Sequence, residues 1–227
     1  MSIEGATSGE RAVHIISLHA DPASPSGTGG AGGTHAYLRE LLTLLPQRGW
    51  SCCVVTRRTS AALPAQQVIS AKAEIVRVTI GPLAPIDKAL LDGLHDESVA
   101  QISAVFDSRP RPTLLHSVYW NSGRVALDLS RRFGIPYVHT VISNGVRRGL
   151  TETDASDRRV AVERAVFLGA ARIFSISREE RDDLVASYGI NPTQIVVIGR
   201  PVSVAFRYPA HDQTGSAQLP PPWNPAE

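Results

Sequence analysis

Residues 113–142, TLLHSVYWNSGRVALDLSRRFGIPYVHTVI, carry two apolar runs of strand length on either side of a helical pattern. TLLHSVY (113–119) and IPYVHTVI (135–142) have few polar interruptions, as expected of strands covered on both faces. Between them Val125, Ala126, Leu129 and Phe133 recur at helical spacing, and Gly134 supplies a helix stop. A strand, a crossover helix and a second strand in this space make a parallel pair.

The same unit repeats outward in both directions. Upstream lie strands at AVHIISLH (12–19), WSCCVVTR (50–57) and EIVRVTI (74–80), with helices over 33–45 and from about Lys88 to Asp107. Downstream come the helix of RRVAVERAVFLGA, the strand RIFSIS (172–177), the helix of REERDDLVASYG and the strand QIVVIGR (194–200). Gly49 and Gly189 end helices as Gly134 does, Pro46 stops the first helix in its last turn, and Ser177 with Glu180 forms a capping box. The pattern predicts an α/β domain, a doubly wound, mostly parallel sheet with helices on both faces. We divide the chain into a polar tail (1–11), this domain (12–208) and a Pro-rich linker or tail (209–227).

Composition removes several classes of function. With 43% hydrophobic and 19% charged residues the chain is ordinary globular material, and a net charge of +2 with scattered basic doublets gives no nucleic-acid footprint. No stretch reaches the ~20 apolar residues of a membrane span. Cys52 and Cys53 are neighbours on a strand, point to opposite faces and lack metal-site spacing, which predicts reduced, packed thiols and a cytoplasmic protein.

In an open parallel sheet ligands bind beyond the carboxyl ends of the strands. The stretches there are HADPASPSGTGGAGG, Arg57-Arg58, Gly81-Pro82, HSVYWNSG, HTVISNGVRR, Ser177 and GRPV, rich in Gly, Ser, His and Arg. They suit an anionic, hydroxylated ligand. The glycines of GTGGAGG (27–33) open the first helix, where bare N–H groups face outward and anions are favoured. Two ligands compete for this loop. Gly27, Gly29 and Gly32 fit a dinucleotide fingerprint with Arg57-Arg58 meeting a 2′-phosphate, but DPASPS separates the glycines from the first strand and no acidic residue ends the second. The other is a sugar nucleotide.

GTGGAGGTHAYLREL resembles the glycine loop and first helix of family 4 retaining glycosyltransferases, the sucrose-phosphate-synthase-like and glycogen-synthase-like group. LLHSVYWNSGRVALDLSRRFGIPYVHT, VERAVFLGAARIFSISREERDDLVASYGI and QIVVIGRPVSVAFRYP resemble further segments of that family in the same order. The similarity runs over about residues 12 to 209.

The resemblance implies one half of a GT-B fold, the Rossmann-like, acceptor-side half of an enzyme that transfers a sugar from a nucleotide-diphosphate sugar to a small hydroxylated acceptor. It implies that Gly32, Gly33 and Thr34 meet the donor diphosphate and that His139 lies near the transferred sugar as the catalytic-site histidine. It places His116, Tyr119, Trp120 and Arg148 around the acceptor, with Arg200 able to contact an anionic ligand. It implies no metal, no cofactor beyond the nucleotide-sugar co-substrate, and a donor-binding C-terminal domain as partner in cis or in trans. The isolated chain is then expected to be inactive. Val118 and Ile142 replace two of the family's histidines, and Gly199-Arg200-Pro201 replaces its Pro-Pro-Gly, which argues against sucrose-phosphate synthesis in particular. Two other functions compete: a stand-alone or split-subunit sugar-binding protein without turnover, and an NADP-binding Rossmann protein.

Overall fold

The computed structural model describes residues 11–24, 32–147 and 154–199. Among them, eight strands form one sheet in the order β3-β4-β2-β1-β5-β6-β7-β8. β1 is Ala12–Ile16, β2 Ser51–Arg57, β3 Gln66–Ser70, β4 Ala73–Val78, β5 Leu114–Val118, β6 Tyr137–Thr140, β7 Arg172–Ser175 and β8 Ile195–Val197. All pairs are parallel except β3 with β4, a hairpin with a register shift between Val68 and Ser70. The helices are α1 (Gly33–Gln47), α2 (His95–Asp107), α3 (Trp120–Phe133), α4 (Asp154–Gly169) and α5 (Arg178–Tyr188).

Alternation along the strands sorts the core into two layers. Val13, Ile15, Cys52, Val54 and Ile75 pack under Tyr37, Leu38 and Leu42 of α1. Their neighbours Ile16, Cys53, Val55 and Val76 turn the other way, into a layer with Ile102 and Phe106 of α2, Val125 and Leu129 of α3, Val166 and Phe167 of α4, and Leu184 and Tyr188 of α5. Each fully buried aliphatic side chain contributes about 1.5–3 kcal/mol, so the layering fixes strand register. Cys52 and Cys53 are free, buried and on opposite faces, as the sequence predicts.

Several local expectations change. β3 was not anticipated: QQVIS is a largely exposed edge strand, so burial imposes no pattern on it. The expected helix from Lys88 to Asp107 is a 3₁₀ helix (Lys88–Leu94) followed by α2. Ser177 does cap α5, its Oγ accepting from Glu180 N at 3.1 Å. The reciprocal half of the capping box is replaced: Glu180 Oε2 accepts from Ile176 N at 2.9 Å and from the Ser175 hydroxyl at 3.0 Å. Pro46 lies within the last turn of α1, which ends one residue later at Gln47.

The loop leaving β1 is anchored by charge. Arg77 of β4, buried to its guanidinium, donates to Asp21 Oδ2 at 2.5 Å and Oδ1 at 3.2 Å, and to Gln67 Oε1 at 2.8 Å. Asp21 Oδ1 also accepts from Ala23 N at 2.9 Å, while Arg39 of α1 donates to the carbonyls of Pro22 and Ser24, both at 3.0 Å. Removing one member leaves the other charge buried alone. Asp21→Asn is therefore expected to lower unfolding free energy by about 3–5 kcal/mol, measured by urea denaturation. A loss below about 1 kcal/mol, the range of an exposed pair, would contradict this role.

Candidate functional site

β1 and β5 lie side by side in the sheet where the strand order reverses, and the crevice at which open parallel sheets bind ligands is expected at their carboxyl ends. Tyr119 follows β5 and caps α3 with φ 75° and ψ 153°, a conformation almost confined to glycine. It is the one non-glycine residue with positive φ among the described residues, and such backbone costs about 1–3 kcal/mol. The strained residue sits in a cluster. Its ring lies 4.7 Å from that of His19, which follows β1, and 6.3 Å from that of Trp120. The Arg159 guanidinium of α4 lies 5.6 Å from each of the Tyr119 and Trp120 ring centres. Ser122 Oγ accepts from Leu18 N at 3.1 Å, tying the start of α3 to the end of β1.

Buried polar atoms without partners gather around this cluster. Among the described residues Ser17 Oγ, His19 Nδ1, both amide atoms of Asn121 and Asn144 Nδ2 have no hydrogen-bond partner. Asn121 and Asn144 are 3% and 1% exposed. Each such group costs about 1–3 kcal/mol unless an ordered water or a shift of neighbouring side chains supplies a partner. Among the described residues the same condition holds elsewhere only for His14 Nδ1 of β1, whose ring meets Phe106 of α2, and Ser103 Oγ of α2. Positive charge borders the cluster: the Lys88 ammonium acts on both His19 and His35, and burial, followed by Lys88 and His35, pushes His19 down to about 3.

The structure brings some of the sequence-predicted residues to this crevice. Tyr119 and Trp120 are in the cluster. Gly32, Gly33 and Thr34 form the start of α1, where Gly32 N donates to His35 Nδ1 at 3.2 Å and Gly32 and Gly33 are exposed. The free N–H groups of this first turn are open to an anion. Gly27 and Gly29, Arg148 and Arg200 lie outside the described residues.

The two histidines, expected near the transferred sugar and the acceptor, are both buried. His116 and His139 are 4% and 1% exposed and occupy opposite faces of the sheet. His116 Nε2 is 2.7 Å from Thr140 Oγ1, which is 3.0 Å from the Tyr37 hydroxyl, on the α1 side. His139 Nδ1 is 2.8 Å from Ser117 Oγ on the other side, with its ring against Phe167. A Cβ on Gly123 would come within 3.0 Å of the His139 ring and 2.6 Å of Val166, so glycine lets α3 settle there. Arg57 is also enclosed, donating to the carbonyls of Ile80, Pro82 and Ala84, while Arg58 donates to those of Leu63 and Ala61. The arginines that a 2′-phosphate would need are thus engaged by backbone.

Sequence reading passed over His19, Asn121, Asn144 and Arg159 as individual residues. The first three fall within stretches singled out by their position after strands, but nothing in their spacing marks them. Arg159 carries no local signal, since it reaches the crevice from the second turn of α4.

Comparison with known proteins identifies the family and the fold. Residues 32–201 match the family described as glycosyl transferase 4-like domain, and the chain belongs to that family. It is 34% identical over 206 residues to a D-inositol 3-phosphate glycosyltransferase of Pseudarthrobacter chlorophenolicus, covering 88% of this chain and 49% of that one. A protein of the same name from Thermomonospora curvata is 31% identical over 204 residues, with 87% and 47% covered. Among solved structures, sucrose-phosphate synthase from Thermosynechococcus elongatus superposes with a TM-score of 0.76 at 27% identity, over 83% of this chain and 48% of that one. The chain thus spans about half the length of the relatives it matches. The fold is the Rossmann-like N-terminal half of the GT-B arrangement. No helix among the described residues is long and apolar enough to cross a membrane.

The buried histidines make stability depend on pH. Burial, with Arg109 adding, pushes His14 down to about 4; burial alone takes His116 to about 4, and burial with His116 takes His139 to about 3. Above the unfolded value near 6.5 both states are neutral and the full stability is present. As pH falls from there toward the folded values the unfolded chain binds protons that the folded one refuses, removing up to about 1.4 kcal/mol per histidine per unit. The urea midpoint is expected to fall steeply between about pH 7 and about pH 5, and His116→Gln to make that fall shallower. A midpoint constant over this range would show that the histidines are charged in the folded protein.

Proposed function

We propose that this member of the glycosyl transferase 4-like family supplies the acceptor-side half of a retaining glycosyltransferase. The enzyme would move a sugar from a nucleotide-diphosphate sugar to a small hydroxylated acceptor carrying an anionic group. The observation that carries the reading is strained Tyr119 at the end of β5, ringed by His19, Trp120 and the Arg159 guanidinium. The Lys88 ammonium near His19 and the guanidinium edge of Arg159 left by its pairing with Glu163 favour a phosphate on the same molecule, in keeping with relatives named for inositol 3-phosphate.

In this reading the start of α1, with Gly32 as its bare N-cap, directs the backbone N–H groups of Gly33 and Thr34 at the donor diphosphate and stabilises it as it leaves. Tyr119, Trp120 and Arg159 hold the acceptor so that one hydroxyl meets the anomeric carbon. Arg148 and Arg200, outside the described residues, are kept as candidate contacts of the anionic ligand on the strength of the family resemblance alone. His139, bonded to Ser117, and His116, bonded to Thr140, act by fixing the ends of β5 and β6 rather than by touching the sugar. The donor's base and sugar are met by a second, donor-binding half, in cis or in trans, and the enzyme works in the cytoplasm with both thiols reduced.

The test is transfer by the chain joined to a donor-binding half. UDP- and ADP-activated hexoses are offered with myo-inositol 3-phosphate or with unphosphorylated myo-inositol. The expected product forms on the phosphorylated acceptor with the donor's anomeric configuration, and Arg159→Gln lowers kcat/KM for it by about 10–100-fold. An inverted product, or equal use of both acceptors, would overturn the reading.

A further inference from the structure

α4 carries a carboxylate that the proposed transfer does not use. Glu163 is 0% exposed, and burying a lone carboxylate costs several kcal/mol unless donors surround it. They do. Its Oε1 accepts from Arg159 Nε at 2.8 Å, and its Oε2 accepts from Gly145 N at 2.8 Å and from the Tyr188 hydroxyl. Tyr188, the last residue of α5, also accepts from Val146 N at 3.3 Å, and its ring packs edge-on against Phe167 at 5.0 Å. Arg159 Nη2 donates in turn to Ser143 O at 3.3 Å and Oγ at 3.4 Å.

The segment after β6 is therefore gripped at Ser143, Gly145 and Val146. Between those grips stands Asn144, whose Nδ2 has no partner, while its Oδ1 accepts from Arg147 N at 2.8 Å. The carboxylate also sets where the Arg159 guanidinium lies against Tyr119 and Trp120. With its oxygens occupied and no exposed surface, Glu163 has no route to a substrate proton.

We propose that Glu163 and Tyr188 are positioning residues of the acceptor site, which hold Arg159 and the Asn144 loop in the geometry that recognises the acceptor's anionic group. This rests on the acceptor reading above. A mere brace for the fold would affect all ligands equally, whereas a device that aims a guanidinium affects the anionic ligand selectively.

The experiment is calorimetric titration of the full chain with two probes, myo-inositol 3-phosphate and myo-inositol. The unmodified chain is expected to bind the phosphorylated probe more tightly. Tyr188→Phe keeps the ring and removes the hydroxyl; Glu163→Gln keeps the volume and removes the charge. Each is expected to weaken binding of the phosphorylated probe by about tenfold while changing the neutral probe by less than about twofold, and Arg159→Gln should add little to Glu163→Gln. Tyr188→Phe retains its core packing, so it decides the matter if Glu163→Gln does not fold. Equal loss for both probes, or no loss for either, overturns the positioning role and leaves the acceptor reading standing. Failure of the unmodified chain to prefer the phosphorylated probe overturns the acceptor reading and this proposal together.

Discussion

The direction in which the chain winds reverses beside β1, and the remaining architecture depends on that reversal. From β1 the chain moves one way to β2, β4 and β3; it then returns past β1 and moves the other way through β5 to β8. Parallel crossovers are right-handed, so opposite directions of travel put α1 on one face and α2 to α5 on the other. The two core layers follow from this, and so does the crevice, because loops leaving β1 and β5 must part to opposite faces. A site at this point draws on Leu18 and Ser122, and on His19 and Tyr119, residues far apart in sequence.

Charged groups then make the crevice rigid. Arg77 and Asp21 secure its β1 side, and Arg39 ties the same loop to α1. Glu163 secures its β6 side through Gly145, Arg159 and Tyr188. Both carboxylates are buried and both are met by several donors, an arrangement that tolerates little displacement. Between these fixed walls lie Tyr119, with its strained backbone, and amides that the protein leaves without partners. Such local conflicts concentrate where a ligand completes the structure.

The sheet was legible in the sequence because its central strands are buried on both faces and announce themselves as apolar runs. TLLHSVY and IPYVHTVI contain β5 and β6 with the intervening helix, and the glycines expected to end α3 and α5 adopt left-handed caps. QQVIS was not legible, since an exposed edge strand has no core to pattern it. For the site, position was legible and identity only in part. Among the loops after the strands, Tyr119 and Trp120 do stand where β5 ends and the next helix begins. His116 and His139 sit on strands facing inward, and the sequence does not show that Thr140 and Ser117 satisfy them. The roles of Asn121, Asn144 and Glu163 depend on contacts between elements, which no single stretch encodes.

The central place of β1 has a consequence during synthesis. Its pairing with β2 joins residues such as Val13 and Cys52, but its pairing with β5 waits for Val13 to meet Leu114. As the chain leaves the ribosome, β1 to β4 can assemble with α1 while the far edge of β1 stays open and apolar. Closing so distant a pair is slow, and an open parallel edge is prone to capture by other chains in the interval. The expected demand is for a chaperone that covers this edge until β5 has emerged and reaches β1 before a stranger does.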